Sequence, residues 1–199
     1  MGIFKYGQEE LNYLKNKDEV LAAAIERIGV IERTVTPDLF EALINSVVSQ
    51  QISTKAAATV WKRLLDKLQA ITPETIEAAT IEDIQSCGMS IRKAGYVKGC
   101  ADAVMKGKIN LTEMASLPDD EVIKCLSSLN GVGIWTAEML LIFSMERPDV
   151  ISYGDLGIRR GIMKLYGLES LTKQEFENYR KRYSPYGSVA SLYLWELSK

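Results

Sequence analysis

Apolar residues return every three or four positions through almost the whole chain, and no stretch alternates apolar and polar residues as a half-buried strand would. Residues 19–29 align Val20, Leu21, Ala24, Ile25 and Ile28, and residues 39–50 align Phe40, Leu43, Ile44, Val47 and Val48. Both spacings predict amphipathic helices. After "SQQIS", Ser53 is a candidate N-cap for a helix marked by Ala57, Val60, Trp61, Leu64, Leu65 and Leu68. Thr80 with Asp83 and Thr172 with Glu175 read as capping boxes, the first opening a short helix that stops at Gly88, the second a helix over 173–183. Ser90 starts a helix that ends at Gly107, and a last helix runs from about Ser188 onward. Pro37, Pro73, Pro118, Pro148 and Pro185 all fall at joints. The expected class is all-α, with about nine or ten helices on short loops and no internal repeat or low-complexity linker.

At 199 residues and 47% hydrophobic content, such a chain can bury a sizeable core without disulfides or metals. Cys87, Cys100 and Cys125 are widely spaced, form no CxxC pair and have no histidine beside them, which sets aside a zinc site, a disulfide framework and an iron–sulfur cluster. The first twenty residues do not resemble a signal peptide, and the longest apolar run, Met139 to Phe143, is too short to span a bilayer. The expected address is the cytoplasm, near the nucleoid or in a nucleus, with no membrane partner. Net charge is −2 and the pI is 5.4, so the chain lacks the uniformly basic surface of a bulk nucleic-acid binder. Its charge is nevertheless uneven. Arg92, Lys93, Lys98, Lys106 and Lys108 stand against Asp102 alone, and Arg159, Arg160, Lys164 and Arg180, Lys181, Arg182 form further clusters that read most simply as solvated helix faces.

The stretch "LNGVGIWTAEMLLIF", residues 129–143, follows a helix that begins at Pro118 with acidic residues in its first turn. The unit is helix, short turn, helix. Glycines at 131 and 133 permit positive φ and leave backbone N–H groups uncovered, and the next helix adds unpaired donors at its N-terminus. Such a turn can bind an anion, or it can simply cap one helix and turn into the next. The full string, Asn130-Gly131-Val132-Gly133, two residues, Thr136-Ala137, resembles the helix-hairpin-helix motif, which grips one DNA strand through its phosphates.

Downstream, "PDVISYGDLGIRRGIMKLYG" places Asp155 before a helix bearing Leu156, Ile158, Ile162, Met163 and Leu165. An aspartate there is a good N-cap, and that role is compatible with a catalytic one because donors at a helix N-terminus favour negative charge. A helix-hairpin-helix followed at this distance by Gly-x-Asp resembles the HhH-GPD superfamily of DNA base-excision glycosylases, most closely its 3-methyladenine DNA glycosylase II branch. The matching strings are "SVVSQQISTKAA" (46–57), "CGMSIRKAGYVKGCADAV" (87–104), "LNGVGIWTAEML" (129–140), "DVISYGDLGIRRG" (149–161) and "YSPYGSVASLYLW" (183–195).

The resemblance implies a two-lobed helical fold with a substrate cleft between the lobes: a bundle over about 37–145, and a second lobe of about 1–36 plus 146–199. It implies that Asp155 is the catalytic aspartate, stabilising positive charge on the sugar as the C1′–N bond breaks and orienting or deprotonating water. Strand-cleaving members carry a lysine nucleophile two residues past the second hairpin glycine. Trp135 stands there, so hydrolysis alone is expected. Trp135 and Trp195 match positions lining the base pocket, although either could be core packing, and Met139 stands where an aromatic pocket residue is expected. Gln51 matches the side chain that fills the hole left by the flipped base, or it is a plain polar loop residue. The phosphate grip falls to Gly131, Gly133 and Thr136, with a sodium or potassium ion on hairpin carbonyls as in family members and no metal ligand from a side chain. No other cofactor is implied, the iron–sulfur loop of the endonuclease III branch is absent, and the N-terminal region is too short for the extra β-rich domain of some members. The implied partner is duplex DNA with a damaged base, bound by a monomer. Three functions remain open at this point: a glycosylase for alkylated purines, one for deaminated or oxidised bases, and a helix-hairpin-helix binding module without catalysis.

Overall fold

A computed structural model describes residues 2–199. The chain forms two compact units, one made of residues 1–35 with 141–199 and the other of residues 36–140. The helical reading holds throughout, with twelve α-helices among the described residues. Two of them were not legible in the periodicity. Helix α1 (Gln8–Lys17) buries only Leu11 and Leu14 and starts at a glycine, so neither stripe nor side-chain cap marks it. Helix α5 (Pro73–Ala78) is six residues long, too short for a stripe, and only Thr72 as N-cap and Pro73 in its first turn announce it. The expectation of no strand is corrected in a small way: β1 (Gly2–Ile3) pairs antiparallel with β2 (Thr34–Val35), two residues each, below the length at which alternation can be read.

In the 36–140 unit, α3 (Leu39–Ser49) and α4 (Thr54–Leu68) flank the "SQQIS" turn, and Ser53 caps α4 by accepting from Ala56 N. Helices α6 (Ile81–Gln85) and α7 (Ile91–Met105) follow, with the Thr80/Asp83 capping box and the Ser90 cap both formed. A 3₁₀ turn (Glu113–Ser116) leads to α8 (Asp119–Ser127) and then α9 (Ile134–Phe143). The core holds Leu43, Ile44, Val47, Leu64, Ile76, Val97 and Leu126, all fully enclosed.

In the other unit, α2 (Glu19–Ile28) packs with α1, and α10 (Leu156–Tyr166), α11 (Lys173–Tyr183) and α12 (Gly187–Ser198) complete the helical set. The tightest packing is α10 against α12. A Cβ on Gly161 would collide with the main chain of Leu194, so only glycine lets the two backbones come this close. The far end of α10 is tied down by a buried polar cluster. Asp18 caps α2 through Leu21 N (2.8 Å), accepts from Tyr166 Oη (2.7 Å) and pairs with Arg182 (2.6 Å), while the Tyr166 and Tyr183 hydroxyls lie 2.7 Å apart. Burial pushes the Asp18 carboxyl up, but the Arg182, Leu21 and Tyr166 donors outweigh it and leave it below the ordinary aspartate value.

A carboxyl held low when folded adds stability that is present above its unfolded pKa, about 3.9, and is lost as pH falls through the folded value. Asp18→Asn should therefore lower the melting temperature at pH 7, with the gap to wild type shrinking in melts recorded below about pH 4. An equal gap across that range would contradict this role.

Candidate active site

Asp155 is the N-cap of α10. Its Oδ1 accepts the backbone N–H of Ile158 (2.9 Å) and the indole Nε1–H of Trp195 (3.0 Å), and the residue is buried. Two donors on one oxygen, together with the positive end of an 11-residue helix, stabilise negative charge on this carboxylate. Trp195 reaches it because Gly157 intervenes without a side chain: a Cβ there would lie 2.9 Å from Trp195 Cδ1 and 3.1 Å from Asp155 Oδ1. Phe143 packs beside the indole, with ring centroids 5.4 Å apart at 32°.

The segment leading to Asp155 is fixed as firmly as its helix. Asp149 accepts from Gly187 N (3.1 Å) and Ser184 Oγ (2.5 Å), and Val150 N donates to Ser188 Oγ (3.0 Å). Ser188 Oγ in turn donates to the Arg147 carbonyl (2.5 Å), and Ser191 Oγ to that of Val150 (3.2 Å). The strings 149–161 and 183–195, far apart in sequence, are thus one hydrogen-bonded block with the Asp155 carboxylate at its edge.

The other three strings form a second block, within the 36–140 unit. Lys93 Nζ donates to the carbonyls of Val48 (2.9 Å) and Gln50 (2.7 Å), capping the C-terminal end of α3, and burial pulls this ammonium below the ordinary lysine value. Gln50 Nε2 donates to the Gly131 carbonyl (2.9 Å). Gly131 adopts φ +86°, and a Cβ on it would lie 2.8 Å from Tyr96 Cγ, so the hairpin lies directly on the Tyr96 ring. Gly133, expected to share that freedom, has no positive φ. It is exposed and nothing lies within 4 Å of where its Cβ would be, so what it contributes is open access to the turn. Thr136 is buried in the first turn of α9. Gln51 is exposed in the left-handed region, φ +59°, a conformation that costs a non-glycine residue about 1 kcal/mol or more.

Along α9, Trp135, Met139 and Phe143 recur every four residues and share one face. Trp135 is 47% exposed, which removes the reading of it as core, whereas Met139 is half-buried. Trp195 is half-buried and committed to Asp155 through its Nε1. The basic run over 92–108 is largely spent within the fold. Lys93 caps α3, Lys98 pairs with Glu77 (3.4 Å) and Lys106 with Asp102 (2.6 Å). Gln50, Lys93, Tyr96, Phe143 and Gly157 are positioning residues that the sequence alone does not reveal as such. Only Gly157 carried a sequence signal, as a glycine two residues into a helix.

Gly157→Ala should displace the Trp195 indole and open its bond to Asp155 while leaving the helices folded. Tryptophan emission should shift relative to wild type, with a stability loss of about 1–3 kcal/mol in urea melts. An unchanged emission spectrum would show that the indole does not depend on the gap at 157.

Comparison with known proteins is consistent with this geometry. Residues 44–185 match the family described as the HhH-GPD superfamily of base excision DNA repair proteins. The chain is 38% identical over 165 residues to DNA-3-methyladenine glycosylase 1 of Schizosaccharomyces pombe, covering 80% of this chain and 72% of that one. Its structure is similar to the crystal structure of a DNA-3-methyladenine glycosidase from Bacillus halodurans, with a TM-score of 0.89, 33% identity and coverage of 100% and 93% of the two chains. It is also similar to a 3-methyladenine DNA glycosylase of Schizosaccharomyces pombe in complex with abasic DNA, with a TM-score of 0.79, 31% identity and coverage of 95% and 96%. The chain belongs to the HhH-GPD superfamily of base excision DNA repair proteins.

Proposed function

We propose that the protein is a monofunctional DNA glycosylase that hydrolyses the N-glycosidic bond of alkylated purines, of the 3-methyladenine kind, in duplex DNA. The observation that carries this reading is the buried Asp155 carboxylate, fixed by a helix N-terminus and an indole N–H. The relatives named for 3-methyladenine support the substrate class.

A purine alkylated on a ring nitrogen is a cation, and it departs as a neutral molecule without a general acid. The sugar left behind develops positive charge at C1′, which the fixed carboxylate stabilises without reorganising. Water adds to C1′ and gives up a proton, for which Asp155 is the acceptor in a chain with no histidine. The products are a free base and an intact strand with an abasic site. Trp135 offers no amine for a Schiff base, so the strand is not cut. An exposed indole on the face that also carries Met139 attracts an electron-poor cationic ring by stacking and cation–π terms of roughly 0.5–2 kcal/mol.

Opposite the extruded base, Gln51 fills the gap. The preceding Gln50 is held by Lys93 and by the Gly131 carbonyl, so the backbone that carries Gln51 is ordered before DNA binds and only the side chain remains to be fixed. Gly131, Gly133 and Thr136 form the phosphate grip. The carbonyls of Leu129 and Gly131 each accept one hydrogen bond and keep a second lone pair. They would hold a sodium or potassium ion, which supplies positive charge toward a phosphate. The protein works as a monomer.

The test is base release from a panel of duplexes carrying methylated, deaminated and oxidised bases, each read with and without hot alkali. Release from methylated purines, with strand scission only after alkali, is the expected result. Release of oxidised or deaminated bases alone would reassign the substrate, scission without alkali would refute hydrolysis-only chemistry, and DNA binding with no release would leave a binding module.

A further inference from the structure

We infer that Arg159 binds a phosphate of the DNA strand that carries the damaged nucleotide, beside Asp155. The inference rests on the glycosylase reading above and adds to it a strand contact on the Asp155 side.

Arg159 lies one turn into α10, and its N–H donates to the Asp155 carbonyl (3.2 Å). Helical side chains lean toward the N-terminus of their helix. The guanidinium accordingly sits 5.3 Å from the centroid of the Tyr153 ring, two residues before Asp155. Tyr153 is itself braced edge-on against Phe176, with centroids 5.1 Å apart at 75°, so the cation rests on a fixed platform at the Asp155 end of the helix. Its Nε is fully buried without an acceptor, and no ion pair or side-chain hydrogen bond engages the group among the described residues. In the same unit, Arg182 is tied to Asp18 and Arg180 to Glu177. Arg159 is thus a cation at the Asp155 end of α10 that no acceptor of the chain neutralises among the described residues.

The chemistry of the site selects what that is. A guanidinium repels a cationic alkylated base and attracts a phosphate. The nucleotide whose C1′ approaches Asp155 brings its own phosphates with it, and each meets the negative carboxylate at short range. A planar fork that donates to phosphate in two parallel bonds offsets that repulsion. Arg159 supplies it within one helical turn of the carboxylate, in a protein whose overall charge is negative.

The experiment uses a labelled duplex with a tetrahydrofuran abasic-site analogue, which has no base to release, titrated at several KCl concentrations with wild type, Arg159→Met and Arg159→Lys. Methionine keeps the stem on Tyr153 and removes the charge. Arg159→Met should bind roughly ten- to hundredfold more weakly at low salt. Its log–log salt slope should be smaller by about 0.9, the loss of one phosphate contact. Arg159→Lys should keep the slope and lose only part of the affinity, and it carries the test if the methionine variant does not melt cooperatively. Wild-type affinity and slope in a folded Arg159→Met, or wild-type affinity with an altered slope in Arg159→Lys alone, would overturn the inference. Base release by wild type from methylated DNA is scored separately: if it is absent the glycosylase reading fails, whereas an unchanged Arg159→Met slope beside normal release fails this inference alone.

Discussion

The bond from the Trp195 indole to the Asp155 carboxylate depends on two absent side chains. Gly161 lets α10 lie against the main chain of α12, and Gly157 leaves the gap through which the indole reaches Oδ1. Interiors are close-packed, so a methyl group at either position cannot be absorbed without moving one helix or the ring. Around that bond the chain has built outward: the Asp149, Ser184 and Ser188 bonds hold the approach to Asp155, and the Asp18, Tyr166 and Arg182 cluster holds the far end of its helix. A carboxylate that is to stabilise a developing cation gains from such rigidity, because the work of orienting it is done on folding rather than during the reaction.

In the 36–140 unit a comparable arrangement serves a loop instead of a carboxylate. Lys93 and Gln50 join the end of α3 to the hairpin, and Tyr96 fills the space under Gly131. Lys93 belongs to the most basic run of the sequence, yet its ammonium is used against helix carbonyls. The lysines of that run are engaged within the chain, Lys93 with the end of α3, Lys98 with Glu77 and Lys106 with Asp102, which accords with an acidic pI in a chain of a DNA-repair family.

Helices α4, α6, α7 and α11 could be read from the sequence because they start at residues that cap them, Ser53, Thr80, Ser90 and Thr172, and α8 and α12 from their apolar residues without such a cap. Helices α1 and α5 could not, one lacking a capping side chain and the other lacking length. Asp155 stood out by its place before a helix and by the strings around it. Its partner Trp195 was visible as a matching residue, but the bond between them was not, since forty residues separate the two. Gly131 and Gly133 looked equivalent in the string and are not: one needs positive φ and the absence of a Cβ, the other stands in open space. What sequence could not supply was contact across long separations, which is where Gln50, Lys93, Tyr96 and Phe143 acquire their roles.

If Asp155 carries the chemistry, one substitution isolates it. Asn at 155 keeps a capping oxygen for Ile158 and for Trp195 and removes the charge. Single-turnover release of 3-methyladenine from methylated duplex DNA is the measurement. Asp155→Asn should lose at least about a hundredfold in rate while melting near wild type and binding the duplex as well. Release within a few-fold of wild type would contradict it.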